Sequence, residues 1–131
     1  MSQYYGTLKE GSTGPWVTSL EYAMHIFNLY SGGFDGIYGG GLKQAVENFQ
    51  TKVGLYKDGA VGVNTWSSIY ARIQPLQHWL DIKWGIYCAD DGIAGPATLA
   101  AVEEFQRRHG LTPDGYVGPE TMAKLGINFW Y

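Results

Sequence analysis

The chain has 131 residues, of which 45% are hydrophobic and 16% charged, with a net charge of −3 and a pI near 5.5. That is the composition of one ordinary globular domain, or of two very small ones sharing a core. The nine Lys and Arg are scattered, so the chain lacks the basic footprint that nucleic-acid binding needs, and no run of about 20 apolar residues offers membrane insertion. The start "MSQYYGTLKEGSTG" has neither a basic segment nor an apolar one, so no export signal is expected in it. Nineteen Gly, about twice average usage, and 15% aromatic residues say that much backbone goes into turns and many rings need a place.

The first expected helix runs from Trp16 to Tyr30. It is followed by "DGIYG" at Asp35, an Asp-Gly turn in which Gly accepts positive φ and the carboxylate can accept backbone N–H bonds. The turn launches a second helix with Leu42, Ala45, Val46, Phe49 and Val53 on one face and Lys43, Gln44, Glu47 and Lys52 on the other, closed by Gly54. Another turn, "DGAVG" at Asp58, starts a short helix near Asn64 to Ile73.

Shifted by 56 residues, the chain spells the same thing again. Asp35 to Ile69 aligns without a gap to Asp91 to Leu125, with 16 of 35 positions identical. The second unit is expected to hold a helix near Leu76 to Trp84, the turn "DGIAG" at Asp91, and a helix burying Ala101, Val102 and Phe105 that stops at Gly110. The turn "DGYVG" at Asp114 and a last helix at Glu120 to Leu125 complete it. Pro96 and Pro119 fall at first helical positions, where a missing N–H costs nothing. The expectation is an all-α protein of two fused three-helix repeats, residues 1–72 and 73–131, with Pro75 as the punctuation between them and no linker.

The stretches "LKEGSTGPWVTSL" (8–20), "DGIYGGGLKQAVENFQTKVGLYKDGAVGVNTW" (35–66) and "DGIAGPATLAAVEEFQRRHGLTPDGYVGPETMAKL" (91–125) resemble the type 1 peptidoglycan-binding domain, a three-helix module of cell-wall hydrolases and phage endolysins. The resemblance implies noncatalytic binding to peptidoglycan outside the membrane, with a catalytic wall-hydrolase domain or partner nearby. It departs from the family pattern at Ala94, where an aromatic residue is usual, and at Gly40 and Val63, where Pro is common. These departures favour the first repeat as the one that binds.

Aromatic faces cover the apolar faces of sugars, and polar groups orient them. The expected ligand-binding cluster is therefore Tyr30, Phe34, Asp35 and Tyr38 with Tyr56 on the next loop, and Tyr87, Asp91 and Tyr116 as the second repeat's counterpart. The four turn aspartates share one context, so capping explains them together better than calcium ligation or acid–base pairing. His25, His78 and His109 lack metal-ligand spacing, and Cys88 lacks the surroundings of a nucleophile. Glu47, Glu103 and Glu104 lie on outward helix faces rather than across a cleft, so no catalytic group, metal or cofactor is expected. The competing reading is a structural or adaptor protein of a phage particle or secretion machine, with the tail "NFWY" (128–131) as an exposed anchor; the bland account is that these rings pack back over the bundle.

Overall fold

A computed structural model describes residues 6–130. Five helices occur in chain order: α1 (Pro15–Ile26), α2 (Gly40–Val53), α3 (Val63–Ile82), α4 (Pro96–Arg108) and α5 (Pro119–Leu125). The only other regular pairing among the described residues is two isolated bridges, Leu8 with Val61 and Thr13 with Ile37, which lay the N-terminal segment across the first two Asp-Gly turns. The fold is all-α and built from two like repeats, as the periodicity predicts.

Each of α2 to α5 begins at the second Gly of an Asp-Gly-x-x-Gly turn, with Gly39, Gly62, Gly95 and Gly118 in extended backbone as N-caps. The predicted stripes face inward: Leu42, Ala45, Val46 and Phe49 from α2, and Ala101, Val102 and Phe105 from α4, are all buried. Full burial of rings such as Phe49 and Phe105 contributes about 2–3 kcal/mol each before entropy is counted. Gly54 and Gly110 adopt left-handed conformations, and Leu55 and Leu111 donate back to the carbonyls of Gln50 and Gln106 at 2.8 and 2.9 Å.

Two boundaries differ from the sequence expectation. α1 stops at Ile26 rather than Tyr30, because Asn28 takes φ 66° and Leu29 donates to the Met24 carbonyl at 2.9 Å, a glycine-type stop made by asparagine. Pro75 does not separate two helices. It sits inside the 20-residue α3, whose buried stripe Trp66, Ile69, Ile73, Leu76 and Leu80 continues through it. Pro75 and Ala71 are both exposed, so the hydrogen bond that proline cannot make is missing on the solvent side, where water can serve the carbonyl.

One helix therefore ends the first repeat and opens the second, and both repeats share one hydrophobic core. The second repeat's turns also dock on α1. Ser19 donates to the Ala94 carbonyl at 2.8 Å, the Val117 N–H donates to the Ile26 carbonyl at 2.8 Å, and His25 Nε2 lies 2.9 Å from the Asp114 carbonyl.

The aromatic tail folds back. Phe129 is buried with its ring 4.9 Å from Phe27, and Trp130 packs on Phe27 and Phe49. Contrary to the adaptor reading, these two rings do not project as an anchor; Tyr131 lies outside the described residues.

Candidate functional site

The four Asp-Gly turns are held by four buried side chains. Gln50, Gln77 and Gln106 each accept the N–H of the turn glycine through Oε1, from Gly59 at 3.1 Å, Gly92 at 2.8 Å and Gly115 at 2.9 Å. Each donates from Nε2 to the turn aspartate, a carbonyl two residues on, and a threonine hydroxyl; for Gln106 these are Asp114 at 3.2 Å, Tyr116 at 2.9 Å and Thr121 at 3.2 Å. Asp58, Asp91 and Asp114 also accept the N–H two residues ahead, from Ala60, Ile93 and Tyr116. Every polar atom of these buried glutamines is thereby matched, so the turns are rigid walls. The first turn differs: Glu21 stands where the others have Gln, accepting the Gly36 N–H at 2.9 Å.

Clefts open beside these walls. One of about 180 Å³ lies between Gln50 and Thr65, and one of about 450 Å³ lies between Gln106 and Thr121. Every residue lining the first has its counterpart 56 positions on in the second, Asp58 with Asp114 and Gly62 with Gly118 among them. The lining mixes polar and apolar side chains, Tyr56, Asn64 and Asp58 beside Leu55 and Val63 in the smaller cleft, and Tyr116, Glu120 and Asp114 beside Leu111 and Pro119 in the larger. The larger cleft also takes Asn28 from the end of α1, so both repeats build it. A third cleft, of about 490 Å³, runs beside the first turn and is lined by Tyr30, Asp35, Ile37 and Gln44.

The expected site residues divide among these places. Tyr30 and Asp35 come together in the third cleft. Tyr30 donates to the Gly33 carbonyl at 2.9 Å, and burial beside Glu21 pushes its phenol up to about 12. Asp35 accepts the Ile37 N–H at 3.0 Å, which with Glu21 beside it holds its carboxyl below the usual range. Tyr56 is 85% exposed at the smaller cleft, and Tyr116 lines the larger one. Phe34 and Tyr116, from opposite repeats, are joined through His25: Tyr22 stacks on Phe34 at 4.0 Å, Phe34 lies 5.4 Å from His25, and His25 stacks on Tyr116 at 4.0 Å. Tyr87 stands 78% exposed on the loop after α3, away from the clefts described above, while Asp91 is occupied by Ile93 and Gln77.

Tyr38 corrects the expectation. It is 1% exposed, and its hydroxyl donates to the Gly59 carbonyl at 2.6 Å, so the ring ties the first turn to the second from inside the core and has no face to offer a ligand. The sequence reading also missed Glu21 and the glutamines, although a signal was present: Gln50 and Gln106 end the repeated A-V-E-x-F-Q run, polar residues on an otherwise apolar face.

Groups with chemical potential are otherwise engaged. Glu104 is held below the usual range by Arg108 and Arg107, at 2.9 and 3.1 Å on the solvent face. His78 pairs with Asp90 at 3.0 Å on the surface. Cys88 is buried, which with Asp81, Asp91 and Asp90 nearby pushes its thiol up to about 11. Among the described residues, no three His, Cys, Asp or Glu side chains gather as metal ligands, and no helix is long and apolar enough to cross a membrane.

The profile of the family described as "Putative peptidoglycan binding domain" matches residues 13–69 and again 71–125. The chain belongs to this family. The two matches to the peptidoglycan-binding domain meet inside α3, so the family unit is repeated without an interruption of the backbone helix.

Among curated relatives, the N-acetylmuramoyl-L-alanine amidase CwlL of Bacillus licheniformis is 29% identical over an alignment of 160 residues, which takes in 90% of this chain and 44% of that protein. The spore cortex-lytic enzyme of Bacillus subtilis strain 168 is 36% identical over 66 residues, 50% of this chain and 22% of the enzyme. Among solved structures, the SleB N-terminal domain superposes with a TM-score of 0.47 at 33% identity, covering 48% of this chain and 88% of that one. The chain thus spans less than half the length of the curated relatives it matches. The two curated relatives are, by name, an amidase and a spore cortex-lytic enzyme.

Proposed function

We propose that this chain is a noncatalytic module that docks on peptidoglycan outside the cell membrane and holds a wall-lytic domain or partner on its polymer. The observation that carries the reading is the residue-by-residue recurrence of one cleft at 50–65 and 106–121, in a chain matched twice by a peptidoglycan-binding family. Tyr56, Tyr116 and Tyr30 supply rings against which sugar or peptide can lie, while Asp58, Asp114 and Asp35 border the clefts as acceptors.

Each cleft is small and open, so single contacts are weak. Two sites on one rigid body meet a repeating polymer at millimolar effective concentration once the first has bound, and avidity follows. A module of this kind needs no chemistry of its own. The capped aspartates, the paired surface carboxylates and the protonated Cys88 suit that role.

Co-sedimentation with purified sacculi tests the proposal. The protein is expected to pellet with the walls at moderate salt and to release neither reducing sugar nor free amine. Sedimentation no greater than that of an unrelated acidic protein contradicts docking, and steady release of either product contradicts the noncatalytic reading.

A further inference from the structure

Three of the four Asp-Gly turns are clamped by an amide, and in each the Nε2 group donates to the turn aspartate: Gln50 to Asp58 at 3.0 Å, Gln77 to Asp91 at 3.3 Å, Gln106 to Asp114 at 3.2 Å. The first turn is built alike except that Glu21 replaces glutamine. Its Oε1 does what the glutamine Oε1 does, accepting the turn-glycine N–H. Its Oε2 accepts the Tyr30 O–H at 3.3 Å, and its carboxyl stands against that of Asp35, where the other turns set an amide against the aspartate. Two ionised carboxylates repel and cannot bond each other, so this position favours a proton where the other three turns have an N–H.

The surroundings reinforce that need. Glu21 is fully buried. The titratable groups facing it are Asp35 from the turn and Tyr30 from the loop after α1, whose hydroxyl is 3.3 Å from Oε2. α2 presents Leu42 where the other turns offer a threonine hydroxyl. The basic side chains on flanking elements are occupied elsewhere: Lys43 of α2 reaches Glu10 at 3.9 Å, and His25, one turn along α1, lies against Phe34, Tyr116 and the Asp114 carbonyl. The Asp114 carboxylate on the second-repeat side is held by Gln106 and the Tyr116 N–H.

We infer that Glu21 and Asp35 form a proton-binding site, one shared proton closing the first Asp-Gly turn and the Tyr30–Asp35 cleft beside it. The other three turns are closed by amides and do not titrate in this way. When the proton leaves, the buried Glu21 carboxylate faces the exposed Asp35 carboxylate at a turn that also forms a wall of the cleft. The first repeat is then loosened as pH rises through the raised Glu21 value, while the clefts at 50–65 and 106–121 keep their shape. The direction agrees with burial and Asp35 both raising the Glu21 pKa, while Asp35 itself is lowered. Because the folded pKa of Glu21 lies above its unfolded value, its contribution to stability is complete below the ordinary glutamate range and is lost as pH rises through the raised value.

The experiment compares thermal unfolding of the full chain with Glu21→Gln and with Gln77→Glu, in steps from pH 4.5 upward to pH 9. Wild type is expected to melt progressively lower than Glu21→Gln once pH passes the ordinary glutamate range, and Gln77→Glu is expected to acquire a similar added slope. Parallel curves for wild type and Glu21→Gln overturn the inference. So does a carboxyl carbon-13 titration of Glu21 with a midpoint in the ordinary glutamate range. The coupling to a ligand rests on the wall-docking reading and is read separately, as pelleting with sacculi across the same pH range. There, wild type is expected to lose more binding than Glu21→Gln as pH rises above the ordinary glutamate range. Equal loss in both removes the coupling, and failure to pellet at any pH removes the docking reading while leaving the melting curves to decide the proton site.

Discussion

Arg72 Nε donates to the carbonyl oxygen of Phe129 at 2.6 Å, and the same guanidinium donates to the Ser68 carbonyl one turn back in α3 at 3.0 Å. The C-terminal segment is thereby pinned across α3, with the Phe129 ring inserted against Phe27 and the Lys52 ammonium 4.9 Å from the centre of the Trp130 ring. Phe129→Ala is expected to destabilise the protein by about 3–5 kcal/mol in denaturant titrations, as for a buried ring removed from a packed core. The folded fraction should retain its affinity for walls. Full stability with lost partner binding would instead restore the anchor reading of the tail.

The glutamine clamps should be the most costly polar positions to remove. In Gln106→Ala the Gly115 N–H loses its acceptor and Asp114 and Thr121 lose their donor. A loss of about 3 kcal/mol is expected from buried groups left unpaired together with the cavity. Urea unfolding measures it, and hydrogen exchange should show the Gly115 and Tyr116 amides deprotected first.

Tyr38→Phe separates a core tyrosine from a ligand-binding one. It removes only the hydrogen bond to the Gly59 carbonyl, so about 1 kcal/mol of stability should go while wall binding is unchanged. Tyr56→Ala should do the reverse, weakening binding with stability within about 0.5 kcal/mol, because that ring is exposed.

Cys88 supplies a prediction with a defined pH sign. Burial first, then Asp81, Asp91 and Asp90, favour the neutral thiol, so its contribution to stability is complete below the ordinary cysteine range and fades as pH rises through about 11. At pH 8 iodoacetamide should alkylate the native protein roughly a hundredfold more slowly than the unfolded chain, on thiolate fraction alone. Mass spectrometry of the two reactions checks it.

Much of the fold is written in local signals. The Asp-Gly turns, the helical stripes and the 56-residue repeat each depend on residues close in the chain, so α2 and α4 are legible along with their glycine stops, and α5 without its stop at Gly126. Pro75 misled because a proline's effect on a helix depends on which side of it faces water, and that is a tertiary fact; the 3–4 spacing from Trp66 to Leu80 ran through it all along. Tyr38 misled for a related reason, since nothing within ten residues says that its hydroxyl will find the Gly59 carbonyl. The clefts were beyond local reading altogether. Asn28 reaches the Gln106–Thr121 cleft only because the second repeat folds back on α1, and His25 bridges Phe34 to Tyr116 for the same reason.

The central claim, that two matching clefts take up cell-wall polymer, is tested most directly by titrating the nitrogen-15-labelled protein with a soluble muropeptide and following its amide resonances. Progressive shifts are expected in two groups separated by 56 residues, around Tyr56 to Thr65 and around Thr112 to Thr121. Spectra that stay unchanged at millimolar muropeptide, or shifts confined to surfaces remote from all three clefts, would contradict it.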